Sequence, residues 1–314
     1  MKHNTKLWLL AGISLLLILL YCFVNLGGAW SYVLEKRALK VFAIIITGMS
    51  IAIATVVFQT ITQNKILTPN IMGLDSLYLF IHTVVVFLFG ATTLTTFDRN
   101  LQFIVVVMIM VLFSGFLYRF LFTGKIKNVY FVLLIGFIAG TFFESLATFM
   151  QVLIDPNEFQ VVQDKMFASF NNINTDILLL AVLLVIFVLL YMRRFTKYFD
   201  VLALGRDLAI NLGVPFEFVV KRLLILIAIL ISVATALVGP ITFLGLIVAN
   251  LSYEFMKTYK HSYVISGAIL FSFIALVGGQ LLVERIFTFS TTISVIINFC
   301  GGVYFIYLLL RGNR

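Results

Sequence analysis

Residues 41–60 read V-F-A-I-I-I-T-G-M-S-I-A-I-A-T-V-V-F-Q-T, twenty positions without one charged side chain. A helix needs about 20 apolar residues to cross a bilayer core of roughly 30 Å, so this stretch predicts a membrane-spanning helix. The whole chain repeats the pattern, because 62% of its 314 residues are hydrophobic and 11% are charged. Soluble domains carry about a quarter charged residues. The sequence therefore predicts an all-α membrane protein.

Ten stretches have the length and composition of membrane spans. They are 7–26, 41–60, 73–94, 101–120, 129–153, 176–192, 221–238, 245–257, 263–282 and 291–310. Prolines in the intervening segments disfavour helix continuation. We interpret 7–26 as a retained helix, because it is long for a signal peptide and no small-residue cleavage site follows it. We expect residues 1–314 to form a single transmembrane domain.

The basic residues predict the orientation of these spans, since Lys and Arg accumulate in cytoplasmic loops. With ten spans and a cytoplasmic N-terminus, 16 of the 22 Lys and Arg lie at inner ends and 6 at outer ends. Both termini are then cytoplasmic. The accumulation of basic residues at the inner ends accounts for the net charge of +9. We expect membrane lipid to surround the chain. We expect no nucleic-acid partner.

Several kinds of chemistry are not indicated. Cys22 and Cys300 lie inside apolar runs, and the three histidines are scattered, so we expect no metal site. The sequence lacks G-x-x-x-x-G-K-[ST], the loop that cradles nucleotide phosphates. No set of residues suggests catalysis. We expect that the chain is not an enzyme and binds no cofactor.

Two loops are long enough to contain structure of their own. The outer loop, 155–175, is compatible with a short surface helix. In the inner loop, 195–220, Leu204, Leu208 and Leu212 recur at helical spacing. Gly213 then stands at a helix C-cap position, and Pro215 forbids continuation. We expect a short amphipathic helix near residues 200–213, between Gly205 and Leu212, at the cytoplasmic face.

Four motifs, in order along nearly the whole chain, resemble the permease subunits of ABC importers for iron–siderophore complexes, haem and cobalamin. They are G-M-S-I-A-I-A-T-V-V-F-Q-T-I-T-Q-N-K-I-L-T-P-N-I-M-G (48–73), L-G-R-D-L-A-I-N-L-G-V (204–214), V-G-P-I-T-F-L-G-L-I-V-A-N-L-S-Y-E (238–254), and Gly278-Gly279 with Arg285 and G-G-V-Y-F (301–305). The resemblance implies a type II ABC importer permease fold in a bacterial cytoplasmic membrane. It also implies that separate ATPase subunits bind ATP and Mg²⁺.

The resemblance implies sites for two kinds of partner. On the inside, the coupling segment would dock in a groove of the ATPase through its apolar stripe, with two charged residues setting register. These residues are Leu204, Gly205, Arg206, Asp207, Leu208, Leu212 and Gly213. On the outside, Arg37, Lys40 and Arg285 match rim positions that meet acidic residues of an extracytoplasmic substrate-binding protein. The alternative for these three is snorkelling of long side chains at the interface.

Polar residues within or beside predicted spans leave two interpretations open. Gln59, Gln63 and Asn64 either line the inner mouth of the translocation path or bond neighbouring helices. Glu144 marks either a functional position or an inter-helical hydrogen bond. Gly136 and Gly140, on the same predicted helix, have small-xxx-small spacing and predict close helix packing. Asp75 and Ser76 are expected to satisfy the start of their helix.

Departures from the family pattern bear on the second permease chain. Asn64-Lys65 stands where the family has Asn-Pro, Ala249-Asn250 stands for Pro-His, and 37–40 read R-A-L-K for R-L-P-R. Such drift resembles the branch that pairs two different permease chains, so we expect a heterodimer carrying a ferric siderophore. Haem or cobalamin import is the alternative cargo. An ion-coupled secondary transporter is the alternative class.

Overall fold

The computed structural model describes residues 2–24, 30–92, 98–123, 129–171, 173 and 175–312, and over these the chain is almost entirely helical. The α-helices are α1 (His3–Phe23), α2 (Trp30–Thr62), α3 (Leu74–Phe89), α4 (Arg99–Thr123), α5 (Val129–Leu153), α6 (Pro156–Met166), α7 (Thr175–Met192), α8 (Thr196–Leu202), α9 (Arg206–Asn211), α10 (Phe216–Val238), α11 (Leu244–Met256), α12 (His261–Arg285) and α13 (Ile293–Gly312). Short 3₁₀ turns at Pro69–Met72 and Arg193–Phe195 precede α3 and α8.

Each of the ten predicted spans coincides with one of these helices. In the described residues, seven helices are long and apolar enough to cross a membrane: α1, α2, α4, α5, α7, α10 and α12. Helices α3, α11 and, over residues 293–308, α13 are apolar but shorter. The predicted ends at Leu26 and Leu94 lie outside the described residues. The chain is therefore a multi-pass membrane protein.

Helix α2 contains the whole predicted span 41–60 and begins eleven residues before it, at Trp30. Its 33 residues span about 50 Å at 1.5 Å per residue, well beyond a hydrocarbon core of about 30 Å. The additional turns carry Lys36, Arg37 and Lys40. Because these residues are charged, a search for apolar runs does not include this part of the helix. Charged residues are nevertheless compatible with a helix that projects from the membrane.

Helices α2 and α10 form the centre of the molecule. They pack against each other, and α2 also packs against α11 and α12 while α10 packs against α4 and α7. Most side chains of both are buried, including Ala54, Phe58 and Ile227. By contrast, α1, α5 and α7 expose many large apolar side chains, such as Trp8 and Phe187. This distribution is that of a bundle whose outer surface faces lipid.

Close packing at Gly136 and Gly140 is confirmed, but the partner is a turn as well as a helix. A methyl group on Gly140 would lie 2.8 Å from the Cα atom of Gly73, and one on Gly136 would lie 2.8 Å from the Cα atom of Met72. Gly73 itself has φ +78, a conformation that favours glycine. The 3₁₀ turn before α3 therefore rests directly on the backbone of α5.

Asp75 does not cap the start of α3, contrary to expectation. The N-cap position is Gly73, and it has no side-chain cap bond. Instead, the Thr235 hydroxyl in α10 donates to Asp75 Oδ1 over 3.2 Å. The carboxylate thus joins two helices rather than satisfying the amides of its own.

Candidate functional site

The expected helix between Gly205 and Leu212 is present as α9, and a second short helix, α8, precedes it in the coupling segment. Helix α8 ends at Leu202 and α9 runs from Arg206 to Asn211, with Gly205 between them at φ +101. A residue with this backbone conformation interrupts a right-handed helix, and the regular leucine spacing could not reveal it. The predicted C-terminal boundary is correct, because Gly213 has φ +81 and ends the segment.

The leucines of this segment lie on its surface. Leu204, Leu208 and Leu212 are 53%, 54% and 64% exposed, and Ile210 is also exposed. Arg206 and Asp207 lie beside them, with Nη1 and Oδ1 3.6 Å apart. We define Leu204, Leu208, Ile210 and Leu212 as the coupling patch. So many exposed aliphatic side chains within one short segment are typical of a surface that another protein covers.

Two small residues fix the coupling segment to the rest of the chain. Gly205 is buried against the side chain of Gln63, so that a methyl group on Gly205 would lie 2.6 Å from Gln63 Nε2. Ala209 is fully buried and its carbonyl accepts a bond from Val214 N. The segment therefore presents the coupling patch outward while its other side contacts the turn that follows α2.

The three predicted path residues make contacts within the chain. Gln59 is 2% exposed, and its Nε2 donates to the Lys65 carbonyl over 2.6 Å. Asn64 Oδ1 accepts from the Ile66 amide over 2.9 Å, and Gln63 contacts Gly205. Gln59 and Asn64 therefore shape the turn after α2. Their position on a translocation path stays a prediction.

Arg37 and Arg285 meet at the C-terminal end of α1. Arg37 Nη1 donates to the carbonyls of Tyr21, Cys22 and Val24, and Arg285 Nη2 donates to the Val24 carbonyl over 2.7 Å. The last carbonyls of a helix have no partner within it and carry partial negative charge. Both guanidinium groups therefore stabilise the end of α1 in addition to any role toward a partner.

Lys40, the third predicted rim residue, has a different environment. Its Nζ lies 3.0 Å from Glu284 Oε1 and 3.0 Å from Asn171 Oδ1. Tyr21 and Gln280 donate to the same Glu284 oxygen. This cluster neutralises the charge of Lys40. Of the three predicted rim residues, Arg285 is the most exposed. The three residues thus lie close together, and their place on an outer rim stays a prediction.

A polar face on α5 is the feature that the sequence analysis missed. Thr141, Glu144, Ser145 and Thr148 are all exposed and lie at i, i+3, i+4 and i+7. The three hydroxyls donate to carbonyls of their own helix, which reduces their cost in lipid. An ionised carboxylate cannot donate a hydrogen bond to a helix carbonyl, so Glu144 is costly in hydrocarbon. Counting polar residues at helical spacing around Glu144 would have found this face.

A resident metal site is not apparent in the part of the chain that is described. No group of three or more His, Cys, Asp and Glu side chains there could hold a metal ion. Cys22 is partly buried and Cys300 is exposed, and both are free thiols. The candidate functional surfaces of the described chain are the coupling patch, the cluster of Arg37, Lys40 and Arg285, which is the predicted outer cluster of basic residues, and the polar face of α5.

The model of the FecCD transport family matches residues 7–311, which include all three of these surfaces. The chain belongs to the FecCD transport family. The family resemblance predicted from four sequence motifs is thereby confirmed, and the protein is a transport permease by descent.

Several curated relatives are named for petrobactin import. The permease protein YclO of Bacillus subtilis is 58% identical over 100% of this chain and 99% of its own length. FatC of Bacillus anthracis is 38% identical over 89% of this chain and 79% of its own. A second B. subtilis permease protein of the petrobactin import system, YclN, is 26% identical over 90% of this chain and 86% of its own.

The fold also has a counterpart among solved structures. An inward-facing metal-chelate-type ABC transporter superposes with a TM-score of 0.85, covering 98% of this chain and 99% of the other at 19% identity. At that identity, the likeness establishes the fold alone. It confirms the all-helical fold.

Proposed function

We propose that this chain is one permease subunit of a binding-protein-dependent ABC importer that carries a ferric siderophore across a bacterial cytoplasmic membrane. The observation that carries the proposal is the coupling patch, because exposed aliphatic side chains on a short helix at the end of a membrane bundle suit a groove on a soluble partner. In this proposal the chain crosses the membrane ten times and both termini are cytoplasmic. The coupling patch then faces the cytoplasm.

The energy for import would come from a partner ATPase. The chain has no phosphate-binding loop, so ATP and Mg²⁺ are expected on the ATPase subunits. Closure of those subunits around ATP would move the coupling segment. Because Gly205 touches Gln63, such movement would reach the end of α2. ATP can drive this movement only if it binds one of the importer's two global conformations more tightly than the other.

The second permease chain is expected to be a different protein. Two B. subtilis permease proteins carry the name of the same petrobactin import system, and this chain is 58% identical to one and 26% identical to the other. This asymmetry suggests that the chain takes the place of YclO beside a YclN-like partner. The departures Asn64-Lys65 and Ala249-Asn250 fit a subunit that no longer pairs with its own copy.

Petrobactin is the cargo that the relatives favour, since YclO and FatC are both named for it. Such an iron chelate is polar and bulky and needs a hydrated route. The polar face of α5 suits one wall of that route, because Glu144 requires water or polar groups around it. The cargo would pass between the two permease chains, and selection among siderophores would rest mainly with the binding protein.

Delivery would take place at the outer cluster of basic residues. An acidic binding protein would meet Arg285 first, since Lys40 is already paired with Glu284. Exposed charges at the edge of an interface act mainly on association rate and register. A tight cargo site on the permease itself is not required.

Reconstitution tests the proposal directly. The chain, its YclN-like partner, the ATPase and the binding protein would be placed in proteoliposomes, and uptake of iron-55 as the ferric petrobactin complex measured. Uptake should require ATP and hydrolysis, and it should persist when an ionophore collapses the proton gradient. Uptake that survives without nucleotide and stops with the ionophore would instead indicate an ion-coupled carrier.

A further inference from the structure

His261, the first residue of α12, lies between two other elements and is 6% exposed. Its Nδ1 is 2.6 Å from Asp200 Oδ1, and its backbone N–H donates to the same oxygen over 2.9 Å. On the other side, its Nε2 is 2.8 Å from Thr60 Oγ1. One imidazole ring therefore joins α8, α12 and α2.

The hydrogen bonds hold the ring in a single orientation. An ionised carboxylate only accepts hydrogen bonds, so the hydrogen on Nδ1 points to Asp200. The second nitrogen then lies beside the Thr60 hydroxyl. The single hydrogen of that hydroxyl serves either this nitrogen or the Val56 carbonyl oxygen, which is also 2.8 Å away. Phe199 lies edge-on to the ring at 6.0 Å between centroids. With both nitrogens engaged, rotation of the ring would break at least one contact.

This chain of contacts connects the coupling segment to the centre of the bundle. Asp200 lies in α8, two residues before its end and four before Leu204, where the coupling patch begins. Thr60 lies in the last turn of α2, the helix at the centre of the bundle. Two hydrogen-bonding contacts and one rigid ring therefore connect α8 to α2.

The contact contributes modestly to the stability of the fold. Half of the Asp200 side chain is exposed, and a hydrogen bond in a protein contributes about 1 kcal/mol net. Helix α8 is further fixed by burial of Phe199 and Leu202. Loss of the ring contact should therefore leave the fold intact while weakening the connection between α8 and α2.

We propose that His261 is a positioning residue that transmits movement of the coupling segment through Asp200 to Thr60 and the centre of the bundle. This inference rests on the proposed function as an ABC importer permease. It assigns the transmission of force to the Asp200–His261–Thr60 chain in addition to the contact of Gly205 with Gln63. Breaking any member should separate ATP hydrolysis from transport.

The number of ATP molecules hydrolysed per iron complex imported is the readout, measured in the reconstituted importer. Asp200→Ala, His261→Ala and Thr60→Val should each raise this ratio about three-fold or more, the size of effect seen when residues along a coupling network are changed. Asp200→Asn keeps an acceptor oxygen and should stay near the unmodified ratio. The double variant Asp200→Ala with His261→Ala should be no worse than either single variant, because the three residues act as one link.

Thr47→Val is the matched control, since Thr47 is buried in the same helix and its hydroxyl has no partner among the described residues. Its ratio should be unchanged. The inference is overturned if Thr60→Val and Asp200→Ala keep the unmodified ratio, or if either prevents assembly of the complex. Absence of ATP-dependent import in the unmodified importer would instead refute the proposed function, so the two failures are distinguishable.

Discussion

Asn250 Nδ2 donates to the carbonyl oxygen of Lys65 over 2.8 Å. These two residues belong to two of the three places where the chain departs from its family's motifs, and the fold brings them into contact. Gln59 Nε2 donates to the same carbonyl, while Lys65 Nζ lies 4.8 Å from the centre of the Tyr253 ring. A turn that lacks the family's proline is thus held by two amide side chains and a cation–π contact.

Removing both amides should destabilise the protein more than the sum of the single changes. Asn250→Leu and Gln59→Leu each leave the Lys65 carbonyl one donor, and each should cost about 1 kcal/mol. Together they leave a carbonyl that neither amide satisfies, at an additional cost of about 1–3 kcal/mol. Thermal unfolding in detergent, followed by tryptophan fluorescence, measures this. Strict additivity would show that the two amides act independently.

Gly140 is expected to be sensitive to the smallest possible side chain. Gly140→Ala forces α5 away from Gly73 and should destabilise by about 1–3 kcal/mol. Gly115, in α4, has open space around it, and Gly115→Ala should be neutral or stabilising by up to about 1 kcal/mol. Comparison of the two thermal midpoints tests the contact. Equal midpoints would mean that α5 does not approach the turn so closely.

Arg285 should act on the encounter with the binding protein. Arg285→Gln keeps an N–H group for the Val24 carbonyl and removes the charge, so the thermal midpoint should be retained. The association rate of the binding protein should fall several-fold at low salt, and the difference should shrink as salt screens the charge.

Lys257→Gln is the control for this effect, because Lys257 is exposed at the C-terminal end of α11, on the predicted inner side. Its association rate should match that of the unmodified importer. An unchanged rate in a variant combining Arg37→Gln with Arg285→Gln would argue that these guanidinium groups serve only to stabilise the end of α1.

Glu144 should affect the rate of import. In Glu144→Leu the polar face of α5 loses its charge, and the initial rate of ATP-driven iron uptake should fall about tenfold, equivalent to one hydrogen bond to a charged group. Phe142, exposed on the same helix, provides the control Phe142→Leu, which should import normally. Normal import by Glu144→Leu would place this face against lipid instead.

The sequence was sufficient for the elements whose signal is local. Apolar length located ten of the helices, seven of which are long enough to cross a membrane, and Gly213 marked the end of the coupling segment. The charged start of α2 was missed because Lys36, Arg37 and Lys40 resemble a loop when only hydropathy is read. The break at Gly205 was missed because the leucine spacing continues across it.

Contacts between distant segments could not be read from the sequence. Lys40 and Glu284, or Asp200 and His261, are separated by long stretches of chain, and neither spacing nor composition pairs them. Gln59 illustrates the same limit, since its polarity indicated a choice between a path and a helix contact, and only the fold shows the Lys65 carbonyl beside it. Family resemblance predicted surfaces for partner proteins, and it supplied none of these contacts within the chain.

The most direct test of the coupling patch is recovery of the ATPase with the purified permease pair. Leu208→Asp places a carboxylate in a surface that the ATPase would bury, and burial of an unpaired charge is costly, so recovery should fall about tenfold or more. Tyr259→Asp, at a 77% exposed position between α11 and α12, should retain full recovery. If Leu208→Asp instead retained the ATPase as well as Tyr259→Asp does, the coupling patch would not be the docking site and the account would be contradicted.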